Sequence, residues 1–256
     1  MTSTEISNHK TVTVKHLRRR LLTSALGILF FLSVIVMTVV TIKNGDTEDG
    51  APYLLRKGLN ANSRVGSAIL SATHLSVSQP RPPQSKEPRV NGDVGLSELI
   101  DLATYTVVVE SGDKTLNFRP EQFKSMPKTE VSTEFKCVEG WSEIVQYGGV
   151  KFSDFLEINK LGRKADGSLY RYVGMETPDG EYYVSLDMKS MLHPQTVLAY
   201  EMNQHPLSEE NGFPIRLIIP IKYGIKSLKR IGRIFFSDNR PADYWAEEGY
   251  DWFAGL

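Results

Sequence analysis

The chain has 256 residues, 30 Lys and Arg against 30 Asp and Glu, 41% hydrophobic residues and a single cysteine. Zero net charge and the lack of a basic stripe interleaved with aromatics argue against nucleic-acid binding. One cysteine excludes an intramolecular disulfide, a CxxC redox pair and a zinc site built from several thiolates.

Residues 1–20 are basic, with Lys10, Lys15, Arg18, Arg19 and Arg20 against one acid, Glu5. They precede 22 uncharged residues, Leu21 to Ile42, dominated by Leu, Ile, Val and Phe. As a helix this run spans about 33 Å, enough to cross a hydrocarbon core of about 30 Å. Lys43, Asp46, Glu48 and Asp49 follow. The charge bias therefore keeps the N-terminus in the cytoplasm and sends the rest across the membrane. The run is long for a signal-peptide core and no small-x-small cleavage site follows, which favours an uncleaved single-pass anchor at residues 21–42. Arg18-Arg19-Arg20-Leu21-Leu22 fits a twin-arginine signal, which would send the protein across already folded, and fits equally a plain basic flank of a membrane helix.

Residues 43–95 show no sustained periodicity and carry Pro80, Pro82, Pro83 and Pro88 within eleven residues. This composition predicts an extended, semi-rigid tether. The apolar fragments Tyr53-Leu54-Leu55 and Ala68-Ile69-Leu70 are too sparse for a core and suit a short helix or a docking segment.

Residues 96–256, roughly 160 in all, suit one domain with a substantial core. Strands are expected at Thr104–Glu110, Glu130–Cys137, Tyr170–Met175, Tyr182–Leu186, Val197–Met202, Ile215–Pro220 and Ile231–Phe236, most of them rich in Val, Ile, Tyr and Phe. Shorter helices are expected at Pro120–Ser125, at Ser153–Lys160 with Ser153 as cap, and at Leu186–Leu192. Strands scattered among short helices without a βαβ repeat indicate an α+β fold with mixed β-sheets. His193 and His205 each precede a proline and read as turn or structural residues.

Cys137 ends one extended stretch and begins a Gly-Trp-Ser turn, Gly140-Trp141-Ser142. Its residue type alone admits an inert buried thiol, a nucleophile, or one thiolate ligand to a metal completed by a cofactor. Trp141 is expected to pack under this loop. Arg216 lies within the apolar run Ile215-Arg216-Leu217-Ile218-Ile219, where a cation requires a buried anionic partner unless it reaches a surface salt bridge.

Four segments in this order carry a resemblance: Phe118-Arg119-Pro120-Glu121-Gln122-Phe123-Lys124-Ser125-Met126-Pro127, Cys137-Val138-Glu139-Gly140-Trp141-Ser142, Asn211-Gly212-Phe213-Pro214-Ile215-Arg216, and Lys222-Tyr223-Gly224-Ile225-Lys226-Ser227-Leu228-Lys229. Together they resemble the sulfite-oxidase-fold molybdopterin-binding domain, most closely the catalytic subunits of periplasmic protein-methionine-sulfoxide reductases. The resemblance covers residues 96–256 and implies a molybdenum cofactor with one pterin dithiolene, with Cys137 as thiolate ligand to the metal. It further implies cofactor contacts at Thr177, Asn211, Arg216, Ser227, Leu228 and Lys229, and offers Tyr223 as a residue facing the open side of the metal. An upstream contact segment of that branch, an asparagine followed closely by an aromatic–acidic pair, has no counterpart recognisable in residues 43–103.

The implied chemistry is oxygen-atom transfer, most simply reduction of a sulfoxide such as methionine sulfoxide, with sulfite oxidation as the alternative on the same fold. A metal-free, membrane-tethered binding module is the competing reading from another class. The sequence has no CxxCH haem-attachment motif and too few cysteines for an iron–sulfur cluster. A separate electron-transfer partner, such as a membrane haem protein, is therefore implied.

Overall fold

The computed structural model describes residues 13–48, 51–69 and 74–256. Residues 1–12 of the basic N-terminus, and with them Glu5 and Lys10, lie outside the described residues, as do Asp49 and Leu70.

The first element is a 31-residue helix, α1 (Val14–Asn44), with no buried residue. It is long and apolar enough to cross a membrane. A two-residue hairpin of β1 (Thr47–Glu48) and β2 (Ala51–Pro52) leads into α2 (Tyr53–Ile69). The apolar fragment at Tyr53 thus opens a 17-residue helix. Arg56 is fully buried and fixes this helix by donating to the Glu48, Tyr250 and Ala246 carbonyls.

The domain itself is built from β3 (Val107–Ser111), β4 (Lys114–Phe118), α3 (Pro120–Lys124), β5 (Lys128–Lys136), β6 (Ser142–Lys151), α4 (Phe152–Asn159), β7 (Tyr172–Glu176), β8 (Tyr183–Asp187), α5 (Met188–Met191), β9 (Val197–Met202), β10 (His205–Pro206), β11 (Arg216–Ile218), β12 (Arg233–Ser237) and α6 (Tyr244–Glu247). One sheet runs β4-β3-β12-β7-β8, with β3 and β12 parallel and its other pairs antiparallel. The second runs β10-β9-β6-β5 with β11 also on β9, all antiparallel. This is the α+β, mixed-sheet architecture that the strand pattern predicts.

Residues from both sheets share one core, in which Val107 and Val109 of β3, Met175 of β7, Leu198 of β9 and Ile234 of β12 are fully buried. Phe118, Phe123, Phe152 and Phe155 add an aromatic cluster, with ring centroids 5.1–6.3 Å apart. Aromatic pairs at such distances add to the burial of their own area.

Besides the two-residue strands β1, β2 and β10, two longer strands exceed the expectations. β4 follows β3 through a tight turn at Gly112 and Asp113, and β6 is a ten-residue strand containing Gly148-Gly149. Glycines in a strand usually weaken it. Here a Cβ on Gly149 would lie 2.2 Å from the Leu198 carbonyl oxygen, so its absence lets β6 and β9 approach where their register slips.

α4 also begins one residue earlier than its expected Ser153 cap. Phe152 is buried and its N–H donates to the Thr196 carbonyl, so packing sets this start; Ser153 bonds Asp154 within the first turn. α5 is confined to Met188–Met191, because Leu186 belongs to β8 and Asp187 caps the helix through Ser190 N–H at 2.8 Å.

The proline-rich stretch runs extended along the domain surface. Gln79 N–H donates to the Ser132 carbonyl, Arg81 pairs with Glu130, and Asn203 Nδ2 donates to the Lys86 carbonyl. Arg89 N–H donates to Glu143 at 2.8 Å. These contacts carry residues 89–94 to the end of β5.

Candidate active site

Cys137 stands where β5 ends. Its N–H donates to the Trp141 carbonyl at 2.9 Å, and its own carbonyl accepts from Gly140 N–H at 3.1 Å. Gly140, at φ 87°, supplies the left-handed residue this tight loop requires. The sulfur is nearly buried and faces a cleft of about 150 Å³.

The cleft is closed on one side by the strap of residues 89–94. Asn91 Nδ2 reaches to 3.8 Å from the Cys137 sulfur. Lys229 Nζ donates to the Asn91 and Gly92 carbonyls at 2.9 and 2.7 Å, clasping the strap. Burial first, and then the nearby Arg216 charge, push the Lys229 ammonium down to about 8.

Arg216 forms the floor. Its position on β11 brings the guanidinium between the rings of Phe135 and Tyr147, at 6.0 and 5.6 Å from their centroids. Its terminal nitrogens donate to the Asn211 carbonyl at 2.9 Å and the Ser227 carbonyl at 3.4 Å. Nε is buried without a hydrogen-bond partner, and among the described residues no carboxylate pairs with this cation. Burial pushes its pKa below the ordinary arginine value. A buried cation held only by neutral carbonyls is costly unless an anion completes it. The adjoining cleft is where such an anion would sit.

Asn211 and Ser227 line the same cleft. Asn211 is fixed by its amide donating to Ser208 Oγ at 2.9 Å, and Ser227 N–H closes a turn onto the Gly224 carbonyl at 2.9 Å. The segments that carry Asn211 and Lys229 touch at Gly212, where a Cβ would lie 2.8 Å from that of Lys229. Gly212 also has φ 94°, so both space and conformation call for glycine.

Three expected site residues lie elsewhere. Thr177 is buried in the turn after β7, with Oγ1 bonded to Asp179 and to the backbone of Tyr182, beneath Gly95. Leu228 is fully buried in the main core, and its carbonyl accepts from Leu217 N–H at 2.8 Å. Tyr223 starts the short 3-10 turn Gly224–Lys226 and bonds through its N–H to the Ala254 carbonyl, outside the residues that line the cleft.

Trp141 packs on Phe135 at 6.1 Å and carries the Arg89 guanidinium over its ring at 4.4 Å. Trp245 of α6 and Tyr250 join it around the mouth, stacked edge to face at 5.2 Å. Glu139, Glu143 and Arg89 share this rim, where Glu143 is already paired with Lys86 at 3.0 Å. Asn91, Phe135, Tyr147 and Trp245 were not legible as site residues. Asn91-Gly92 reads as an ordinary turn, and the aromatics belong to segments brought together only by tertiary structure.

A cleft at the end of β5, with a thiol at one end and on its floor a buried cation that no carboxylate among the described residues pairs with, suits an anionic group. Comparison with known sequences names the class of protein: residues 94–245 match the oxidoreductase molybdopterin binding domain, and the chain belongs to this family. It is 38% identical over 135 residues to YedZ1 of Azospira oryzae, provisionally named as a protein-methionine-sulfoxide reductase subunit, covering 53% of this chain and 49% of that one. It is 32% identical over 158 residues to the protein-methionine-sulfoxide reductase catalytic subunit MsrP of Campylobacter jejuni, covering 56% and 53% of the two chains. The chain thus spans about half the length of the curated relatives it matches. Among solved structures, the sulfane dehydrogenase SoxCD of Paracoccus pantotrophus aligns over 56% of this chain and 41% of its own, at TM-score 0.49 and 20% identity.

Proposed function

We propose that this protein is a membrane-anchored molybdenum-cofactor oxidoreductase that reduces a sulfoxide, with methionine sulfoxide as the simplest substrate. The observation that carries the reading is Arg216, a buried cation lacking an anionic partner beside the lone cysteine. A pterin bearing a phosphate fits that need.

In this reading Cys137 would give its thiolate to molybdenum, and Asn211, Arg216, Ser227 and Lys229 would hold the pterin and its phosphate. Thr177 and Leu228 shape the backbone around the cleft, and Tyr223 positions the turn that carries Ser227. When bound, this group would supply two-electron oxygen-atom transfer at sulfur. The protein orients the cofactor, offsets its charge and limits water at the cleft floor.

The aromatic rim of Trp141, Trp245 and Tyr250 favours a sulfoxide carrying alkyl groups over the small, fully polar sulfite. Apolar aromatic surface suits the alkyl groups of a sulfoxide. Electrons come from a separate protein, and a membrane haem protein suits the anchored arrangement. α1 supplies the anchor, with the catalytic domain on the periplasmic face.

Metal analysis and pterin release on the purified protein test the cofactor. Turnover of sulfoxides and of sulfite with an artificial electron carrier tests the reaction. Cys137→Ala should keep the fold and lose activity; a fully active Cys137→Ala protein would sink the assignment.

A further inference from the structure

A second and larger cavity, about 840 Å³, lies between α2 and the domain, away from Cys137. Five basic side chains line it: Arg64 from α2, Arg171 just before β7, Lys189 from α5, Lys222 after β11, and Arg240 after β12. Asp187 is the single acidic side chain among the described residues of its wall, and the Asp251 carboxylate also acts on Lys222. Its carboxylate already accepts from Ser190 N–H and Oγ at 2.8 and 2.7 Å, and it stands 3.7 Å from Lys222 Nζ.

Lys222 is buried, with Nζ donating to the Phe253 carbonyl at 2.9 Å and lying 3.0 Å from the Phe253 ring centroid. Burial pushes its pKa down to about 7, a penalty that an added anion would relieve. Arg171 and Lys189 make no ion pair with a carboxylate among the described residues. Like charges converging on a concave, partly desolvated surface focus a positive potential, which selects oxygen-rich anions. Tyr172 and Trp252 add aromatic surface to the same walls. The volume falls within the roughly 300–1,000 Å³ range of small-ligand pockets.

We propose that this cavity binds a phosphate ester, its phosphate held by Arg171, Lys189 and Lys222. The site shares no residue with the Cys137 cleft and does not depend on the reading of that cleft. Two sources can supply such a group, an anionic phospholipid headgroup or a soluble phosphate ester. The start of α2 only a few residues beyond the end of α1 puts one wall of the cavity close to the membrane anchor in the chain.

The test uses the full chain in phosphatidylcholine nanodiscs at about 0.15 M salt, where diffuse attraction is screened beyond about 8 Å. Glycerol 3-phosphate is titrated while heat and tryptophan fluorescence are followed. Parallel nanodiscs containing phosphatidylglycerol are examined by native mass spectrometry for retained lipid. Saturable binding of glycerol 3-phosphate or selective retention of phosphatidylglycerol is expected, and the arm that responds identifies the source. The exposed pair Arg171→Ala and Lys189→Ala, with unchanged far-UV dichroism, should weaken the responding arm at least tenfold. Lys222→Met should do the same if it folds. No saturable binding in either arm, or equal binding in the Arg171→Ala, Lys189→Ala protein, overturns the proposal.

Discussion

Asp243→Ala should destabilise the domain by about 3–5 kcal/mol, the cost of stranding one partner of a buried ion pair. Asp243 and Lys226 are paired with side-chain exposures of 3% and 1%, so solvent screens neither. Asp243 also accepts from Ser185 N–H at 2.9 Å and caps α6 through Ala246 N–H at 3.2 Å. Truncation therefore leaves a buried ammonium, an unpaired backbone donor and an uncapped helix at once. Burial already pushes the Lys226 ammonium down and Asp243 holds it up, so the variant removes the group that keeps it charged. At roughly 2–4 °C per kcal/mol for a domain of this size, melting should fall by about 6–20 °C. Urea unfolding of wild type, Asp243→Ala, Lys226→Met and the double variant gives the coupling. The double variant should recover part of the loss, since no buried charge remains. A loss below about 1 kcal/mol, or strictly additive effects, would refute the ion-pair argument.

Arg216→Ala should cut cofactor content far more than it lowers the melting temperature of cofactor-free protein: a buried charge pair is worth about 2–5 kcal/mol, or roughly 30- to 4,000-fold in affinity. Pterin fluorescence after release and melting of cofactor-free samples separate the two effects. Stability should rise with pH between about 7, to which burial lowers Lys222, and its ordinary value near 10.5, because there the unfolded chain binds a proton that the folded one sheds. Urea midpoints across that window should lose this slope in Lys222→Met. Gly149→Ala should cost about 1–3 kcal/mol or more, since its Cβ meets the Leu198 carbonyl and the Ala199 backbone rather than a movable side chain. Chemical denaturation checks it. Deleting residues 1–45 should yield soluble protein, and protease added to spheroplasts should reach the domain of the full-length protein; inaccessible domain would reverse the orientation.

The sequence made the strands legible where β-branched and aromatic residues cluster, as in Val107-Val108-Val109 and Val197–Met202. It hid β6, because Gly148-Gly149 reads as a break until β9 is known to press against it. Within the site, Cys137, Asn211, Arg216, Ser227 and Lys229 were legible through ordered motifs, and the structure gathers them around one cleft. The missing partner of Arg216 could not be read from sequence, since only burial shows that no carboxylate reaches it. The strap was hidden for the opposite reason. Proline-rich chain without periodicity looks free of the domain, yet its backbone groups bond Ser132, Glu143 and Lys229.

The parallel pairing of β3 with β12 joins Val108 to Arg233 and inserts the last strand between β3 and β7. On the ribosome, the first half of that sheet must wait for nearly the whole chain before its central place is filled. Long-range pairing of this kind slows folding and keeps strand edges open meanwhile. A nascent chain that stops short of Ser237 therefore has two unjoined hairpins rather than a smaller working domain, and quality control has a clear target in any incomplete product.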